Sequence, residues 1–187
     1  MVPGRVTNLT YNATGAVVET NDGEGHTTTV SLDSSKDYAA PSAITPYGSS
    51  ALATDMRWNS FLGLTQETGP NGATLSVGYD GGARPQQTTS PYGATTTYEY
   101  NDAQRWSKAT TNGRWVKTTK DGLGRTVKVE TGDGTGTKSV ADTQYTACAC
   151  SPLGKVWRVS QPYASGGQPS AWTTYTYDRL GRTLTVA

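Results

Sequence analysis

The side chains able to do chemistry are few and scattered. His26 is the only histidine, so any nucleophile activated by a neutral base would be built on it. It lies in the Gly-rich stretch Asp22-Gly23-Glu24-Gly25-His26, which reads as an exposed loop tip with nothing rigid to aim a base. The run Gly132-Asp133-Gly134-Thr135-Gly136-Thr137-Lys138-Ser139 imitates a phosphate loop. That pattern needs Gly directly before the Lys, where Thr137 stands, and a helix behind the loop, so a flexible hairpin loop is expected instead. Cys148 and Cys150, separated by Ala149, are the only cysteines, too few for a disulfide framework or a zinc site. A disulfide across one residue is strained and reducible; the expectation is a pair of thiols or a local clip in a wide turn. Sugar hydrolysis would need two carboxylates a fixed distance apart in a cleft. Asp80, Asp121 and Asp178 instead recur at one place in a repeating pattern, which assigns them to turns. No catalytic residue, metal ligand or cofactor site is expected.

Aromatic side chains offer the main alternative chemistry. Tyr92, Trp106, Trp115, Trp157 and Trp172 are candidates to stack on sugar rings, since weak sites gain avidity along a repeat. Against this stands their use as a packing ladder within a sheet. Two sequons, Asn8-Leu9-Thr10 and Asn12-Ala13-Thr14, have meaning only where a secreted chain is glycosylated.

The elements that would hold these residues follow from a repeat. Residues 68–80 (TGPNGATLSVGYD) laid over residues 89–101 (TSPYGATTTYEYN) agree at six of thirteen positions at an offset of 21. Each copy is a turn, a Thr-rich strand and an aromatic followed by Asp or Asn: Tyr79-Asp80 and Tyr100-Asn101. The ending recurs at Tyr11-Asn12, Trp58-Asn59 and Tyr177-Asp178, with degenerate copies at Tyr38, Lys120-Asp121 and Tyr145. After the aromatic comes a turn closed by Gly and Arg, as in Asp121-Gly122-Leu123-Gly124-Arg125 and Asp178-Arg179-Leu180-Gly181-Arg182. Asp folds onto backbone amides two residues on, and Gly accepts the left-handed conformation. Asn71-Gly72 and Asn112-Gly113 are short hairpin signals. Arg84, Arg105, Arg125 and Arg182 recur alike and are expected to bridge to nearby carbonyls or carboxylates. One period is therefore a hairpin of about 21 residues, and hairpins of this size must stack into a shared sheet.

Composition agrees with an aromatic and Thr-rich sheet. Leu, Ile, Val and Phe number 10, 1, 13 and 1, or 25 of 187 residues, a fraction low enough to flag disorder were the net charge high. Net charge is +1, and 32 Thr, 11 Tyr and 5 Trp supply strand surface in place of aliphatics. The 16 basic and 15 acidic residues are interspersed, which disfavours nucleic acid and anionic membrane surfaces, and no apolar run spans a bilayer. The expected class is all-β: an antiparallel strip of stacked hairpins, residues 1–187 forming one array of about eight repeats, read as a piece of a longer array.

Y-D-R-L-G-R at 177–182, D-G-L-G-R at 121–125, R-W-N-S-F-L-G-L at 57–64 and P-Y-G-A-T-T-T-Y-E-Y-N at 91–101 resemble the YD repeats of the Rhs family, which includes bacterial polymorphic toxins, shell subunits of insecticidal toxin complexes and teneurins. The resemblance covers about Leu9 to Ala187. It implies a curved or spiral strip of hairpins forming part of a hollow shell, non-enzymatic, from a bacterial protein that is secreted or at the cell surface. It implies as partners the flanking repeats of the same polypeptide and an enclosed C-terminal toxin, with cell-surface glycans as the alternative. The self-cleaving segment and the effector of many Rhs toxins have no counterpart here.

Overall fold

A computed structural model describes residues 6–148 and 150–187, so Ala149 of the Cys-Ala-Cys motif lies outside the described residues. The chain divides into two compact units after Thr95. The first holds β1 (Asn8–Tyr11), β2 (Val17–Asn21), β3 (Thr27–Leu32), β4 (Pro41–Thr45), β5 (Thr54–Trp58), β6 (Leu64–Thr68), β7 (Thr74–Tyr79) and β8 (Pro85–Thr89), with short 3-10 turns at Ser34–Lys36, Pro46–Gly48 and Ser50–Leu52. The second holds β9 (Thr95–Asn101), β10 (Trp106–Thr111), β11 (Arg114–Lys120), β12 (Thr126–Asp133), β13 (Gly136–Cys148), β14 (Ser151–Ser160), β15 (Trp172–Tyr177) and β16 (Thr183–Val186). Within each unit every strand pairs antiparallel with its neighbours in the chain. The all-β hairpin architecture expected from the repeat is present.

Local chemistry explains the strands. Thr, Val, Tyr and Trp suit a pleated surface, and β5, and β7 from Leu75 onward, alternate exposure residue by residue. Each sheet is one layer thick in the sense that matters for stability: among the described residues only Ala40, Val140 and Ser160 are buried. Stability therefore comes from the backbone ladder and from cross-strand pairs worth about 0.2–1 kcal/mol each. Hydroxyl pairs such as Thr68–Thr74 (3.2 Å), Thr96–Thr111 (2.5 Å) and Thr176–Thr185 (2.6 Å) belong to this class.

One turn recurs throughout. In Asp178–Arg182 the amide of Asp178 donates to the carbonyl of Arg182, and the amide of Gly181 to that of Asp178. This is the three-residue hairpin loop whose last residue is left-handed. The same pair of bonds closes Asn12–Ala16, Asp22–His26, Asn59–Gly63, Gly69–Ala73, Asp80–Arg84, Ser90–Ala94 and Asp121–Arg125. It serves both ends of the hairpins. Asn71-Gly72 accordingly does not form the two-residue turn it signals: Pro70 sets the first position, and only Gly72 is left-handed, at φ 76°. Asn112-Gly113 does form one, with φ 50° and 74°.

Tyr38 is not a repeat ending. It sits at φ 60° inside the loop that follows Ser34–Lys36, and its place is taken by Leu32, directly before Asp33. Asp33 accepts the amide and hydroxyl of Ser35, which stretches the turn to Ala40. The ending at Leu32 restores a spacing of 21 from Tyr11.

Candidate functional site

The recurrent aromatic sits at a β-bulge. Tyr79 pairs with Pro85 whereas Gly78 pairs with Gln87, so one residue of β8, Gln86, is skipped. The same step occurs at Tyr11, Leu32, Trp58, Lys120, Tyr145 and Tyr177. A bulge re-aims its side chain, and here it turns the ring back onto the preceding hairpin. The Tyr79 hydroxyl donates to the Leu64 carbonyl (2.9 Å), Tyr145 to Thr126 (2.9 Å), Tyr177 to Val156 (2.7 Å), and the Trp58 indole N–H to Pro41 (2.6 Å). Each acceptor is the residue paired with the previous repeat's aromatic position: Leu64 with Trp58, Thr126 with Lys120, Val156 with Tyr145, Pro41 with Leu32. The rings also rest on that repeat's turn. Phe61 meets Tyr79 edge to face at 5.2 Å, the Arg125 guanidinium lies 4.2 Å from the Tyr145 ring centre, and a Cβ on Gly63 would come within 2.9 Å of Tyr79.

The turns lock in the same way. Asp80 accepts the amides of Gly82 and Arg84 on Oδ1 and the Arg84 Nε on Oδ2, all at 2.9 Å. Asp121 with Arg125 and Asp178 with Arg182 repeat the arrangement. The amide and guanidinium of Arg84 and of Arg182 hold the Asp80 and Asp178 carboxyls below the usual range. Arg125 reaches further, its Nη1 donating to the Leu153 carbonyl at 2.6 Å. Gly124 and Gly181 are the left-handed residues of their turns.

One copy departs. Asn101 pairs with Trp106 as the last residue of β9 without a bulge, and its side chain accepts the Gln104 amide at 2.8 Å. Tyr100 thus stays in the ladder opposite Ser107, and Arg105 is left-handed at φ 55°, so it does not occupy the Arg84 place.

The candidate stacking residues are engaged, with one exception. Glu99, Lys108, Lys117 and Glu130 form a row across four strands, with ion pairs Glu99–Lys108 (3.0 Å) and Lys117–Glu130 (3.2 Å). Lys117 caps Trp106 at 5.1 Å and Lys108 caps Trp115 at 5.5 Å. The Trp115 indole donates to the Asp133 carbonyl at 3.0 Å. Arg158 lies 4.3 Å from the Trp157 ring and 4.2 Å from the Trp172 ring. Trp157 is the skipped residue of its bulge. Tyr92, at the tip of Ser90–Ala94, is 94% exposed.

Among the described residues, the trough over β10–β13 and the cluster at His26 are both engaged in structural contacts. The trough over β10–β13, about 930 Å³ and lined by Trp106, Lys117, Arg125, Glu130, Asp142 and Tyr145 among others, includes no histidine or cysteine, and its Lys117 and Arg125 are spent on ion pairs. His26 shares its exposed turn with Asp22 and Glu24, ligand atoms within 4.8 Å of one another. The Asp22 carboxylate there is held down to about 2, first by the His26 amide and then by its ring, and serves its own turn. The Gly-rich run is the tip of the β12–β13 hairpin, Asp133 accepting the amide and hydroxyl of Thr135. The sequence had no signal for the bulge, the carbonyl acceptors or the lysine caps, which depend on neighbouring strands; alternation of Trp and Lys along β10 and β11 was the one available hint.

The architecture is one of antiparallel β-hairpin repeats, and solved structures share it. The crystal structure of TcdB2-TccC3 without its hypervariable C-terminal region superposes with a TM-score of 0.66 at 14% identity, covering 96% of this chain and 10% of that one. The crystal structure of TcdB2-TccC3 gives 0.63 at 14% identity, covering 96% and 10%, and the Tc holotoxin pore of Photorhabdus luminescens 0.62 at 14%, covering 95% and 10%. The resemblance expected from the Tyr-Asp spacing is met in the fold by Tc toxin chains, and the chain spans about a tenth of their length. No protein-family model and no curated protein matches it.

Proposed function

We propose that this chain is a stretch of structural wall in a secreted, toxin-associated YD/Rhs-repeat protein of a bacterium, one array that continues into flanking repeats of the same polypeptide and helps enclose a C-terminal toxin. The observation that carries this reading is the clasp: the aromatic of one hairpin donates to a backbone carbonyl of the hairpin before it at Trp58, Tyr79, Tyr145 and Tyr177. Such a device joins repeats and does nothing to a small molecule. It explains how a sheet with three buried residues stays ordered, since each repeat contacts and registers only its neighbour. Tyr11, 56% exposed on β1, offers the same donor to a preceding hairpin. Tyr11, Trp58, Tyr79, Asp80, Asp121, Gly124, Arg125, Tyr177, Asp178, Gly181 and Arg182 are in this reading clasp and turn residues.

Unpaired strand edges associate, which gives the test. Sedimentation of the purified chain should show concentration-dependent association that Leu9→Lys in β1 suppresses, with no signal on a glycan array. A strict monomer that binds a glycan through Tyr92, lost in Tyr92→Ala without unfolding, would replace the wall with the surface-adhesion reading.

A further inference from the structure

Cys148 and Cys150 form a disulfide at the β13–β14 turn. It is poorly suited to stapling the fold. Cross-links stabilise largely by restricting the unfolded chain, an effect that grows with the logarithm of the closed loop, and a sequence separation of 2 closes almost the smallest loop a chain allows. The strands it joins are neighbours already.

Cys150 does lie against a different hairpin. Gly181, left-handed at φ 79°, lies so close to Cys150 that a Cβ there would overlap its Sγ and stand 3.0 Å from its Cβ. Cys150 therefore packs the β13–β14 turn against the Asp178–Arg182 turn between β15 and β16. A recess of about 630 Å³ lined by Cys148, Trp157, Tyr175, Tyr177, Asp178 and Arg179 opens beside it, and both cysteines are half-buried. A thiol reaching that recess meets an accessible disulfide bearing on a separate structural element.

We propose that Cys148–Cys150 is a thiol-exchangeable latch that fastens the last hairpin and is opened by a dithiol reductant. In the exchange the reductant's thiolate attacks one sulfur, the S–S bond breaks and a mixed disulfide forms. The reductant's second thiolate then displaces the remaining cysteine. Two electrons and two protons end on Cys148 and Cys150, and the reductant leaves as a disulfide. Once the bond is gone, nothing covalent directs the Cys150 Sγ at Gly181, and the turn loses that support, keeping only its own bonds to Asp178, while the Tyr177 clasp to the Val156 carbonyl (2.7 Å) retains β15. The inference does not depend on what the wall encloses.

The test is hydrogen exchange on the folded wild-type chain, oxidised, treated with millimolar dithiothreitol, and reoxidised, with alkylation and mass measurement to score the thiols. The expected result is a gain of two hydrogens and exchange faster by about tenfold or more at Leu180, Gly181 and Arg182, reversed on reoxidation, with β6 and β7 unchanged. Cys148→Ser combined with Cys150→Ser should reproduce the reduced pattern without reductant; should that variant not fold, the reduction cycle on the wild type decides alone. A disulfide that resists the dithiol in the folded chain would overturn the latch. So would reduction with no change at residues 180–182, or reduction that unfolds β6 and β7 as well, which would make the bond a staple.

Discussion

Two stretches solve the same joining problem with different amounts of chain. In β5–β8 the hairpins are short, their endings Trp58 and Tyr79 lie 21 residues apart, and three-residue loops close both ends. In β13–β16 the endings Tyr145 and Tyr177 lie 32 apart, and β13 and β14 run to 13 and 10 residues. The clasp is nevertheless the same, Tyr79 to Leu64 and Tyr177 to Val156. The additional residues fill a gap beside the first half of β13. Tyr163 exchanges backbone hydrogen bonds of 2.9 Å with Val140, donates its hydroxyl to Asp142 at 2.6 Å, and Ser160 accepts the Asp142 amide at 2.8 Å. Val140 and Ser160, two of the three buried residues, lie here. Spacing can therefore vary provided the donor still reaches its carbonyl, and a longer repeat builds a small interior of its own.

The sharpest way to break this contrast is a pair of glycines. A Cβ on Gly132 in β12 would collide with the Gly136 carbonyl and the Trp115 ring, whereas one on Gly78 in β7 would meet nothing closer than the Gln87 carbonyl at 3.9 Å. Gly132→Ala should cost about 2–3 kcal/mol, lowering Tm by about 5–10 °C, and Gly78→Ala should stay within about 0.5 kcal/mol; equal melting shifts would mean the second unit is no more tightly packed. Next come Tyr79→Phe and Tyr177→Phe, each removing one clasp bond at about 1 kcal/mol. Matching losses in denaturant unfolding are expected, and a silent Tyr177→Phe would show that the long repeat does not use its clasp.

The titrations are smaller, and a phenol and the turn carboxyls act with opposite sign. The bond from Tyr163 to Asp142, followed by burial, pushes the phenol up to about 12. Its folded state holds the proton more tightly, so the contribution is complete below about pH 10 and fades as pH rises through about 12. Tyr163→Phe should flatten that alkaline loss in melting curves. In the first unit the depressed Asp22 carboxyl contributes above about pH 4 and ceases to do so as pH falls through about 2, and Asp80 is depressed in the same direction. Asp22→Asn should make the acid limb of the Tm profile shallower, and an unchanged limb would remove Asp22 from the account.

Much of this is legible in the sequence alone. Tyr-Asp endings, Gly at the left-handed place and Arg closing the turn are local chemistry, and the turns at Asp80, Asp121 and Asp178 follow from a side chain folding onto its own amides. Tyr38 misled because an aromatic near the right spacing carries no mark of its backbone conformation, and Leu32, which holds the position, is not aromatic. Tyr100-Asn101 misled for a related reason: its sequence matches Tyr79-Asp80, yet Asn101 pairs with Trp106 and the loop moves along by one residue. Trp106, Trp115 and Trp172 read in the sequence as packing first and as sugar platforms second, and only neighbouring strands bring Lys117, Lys108 and Arg158 over their rings.

By itself the sequence determined the turns, the strands and the hairpin period, because those depend on residues within a few positions of one another. Tertiary structure decided which carbonyl each aromatic meets, which ring a lysine covers, and that Cys150 bears on Gly181. Those partners lie 7 to 31 residues away in the chain, and a bulge of one residue, invisible in composition or spacing, sets the direction in which each clasp aromatic points.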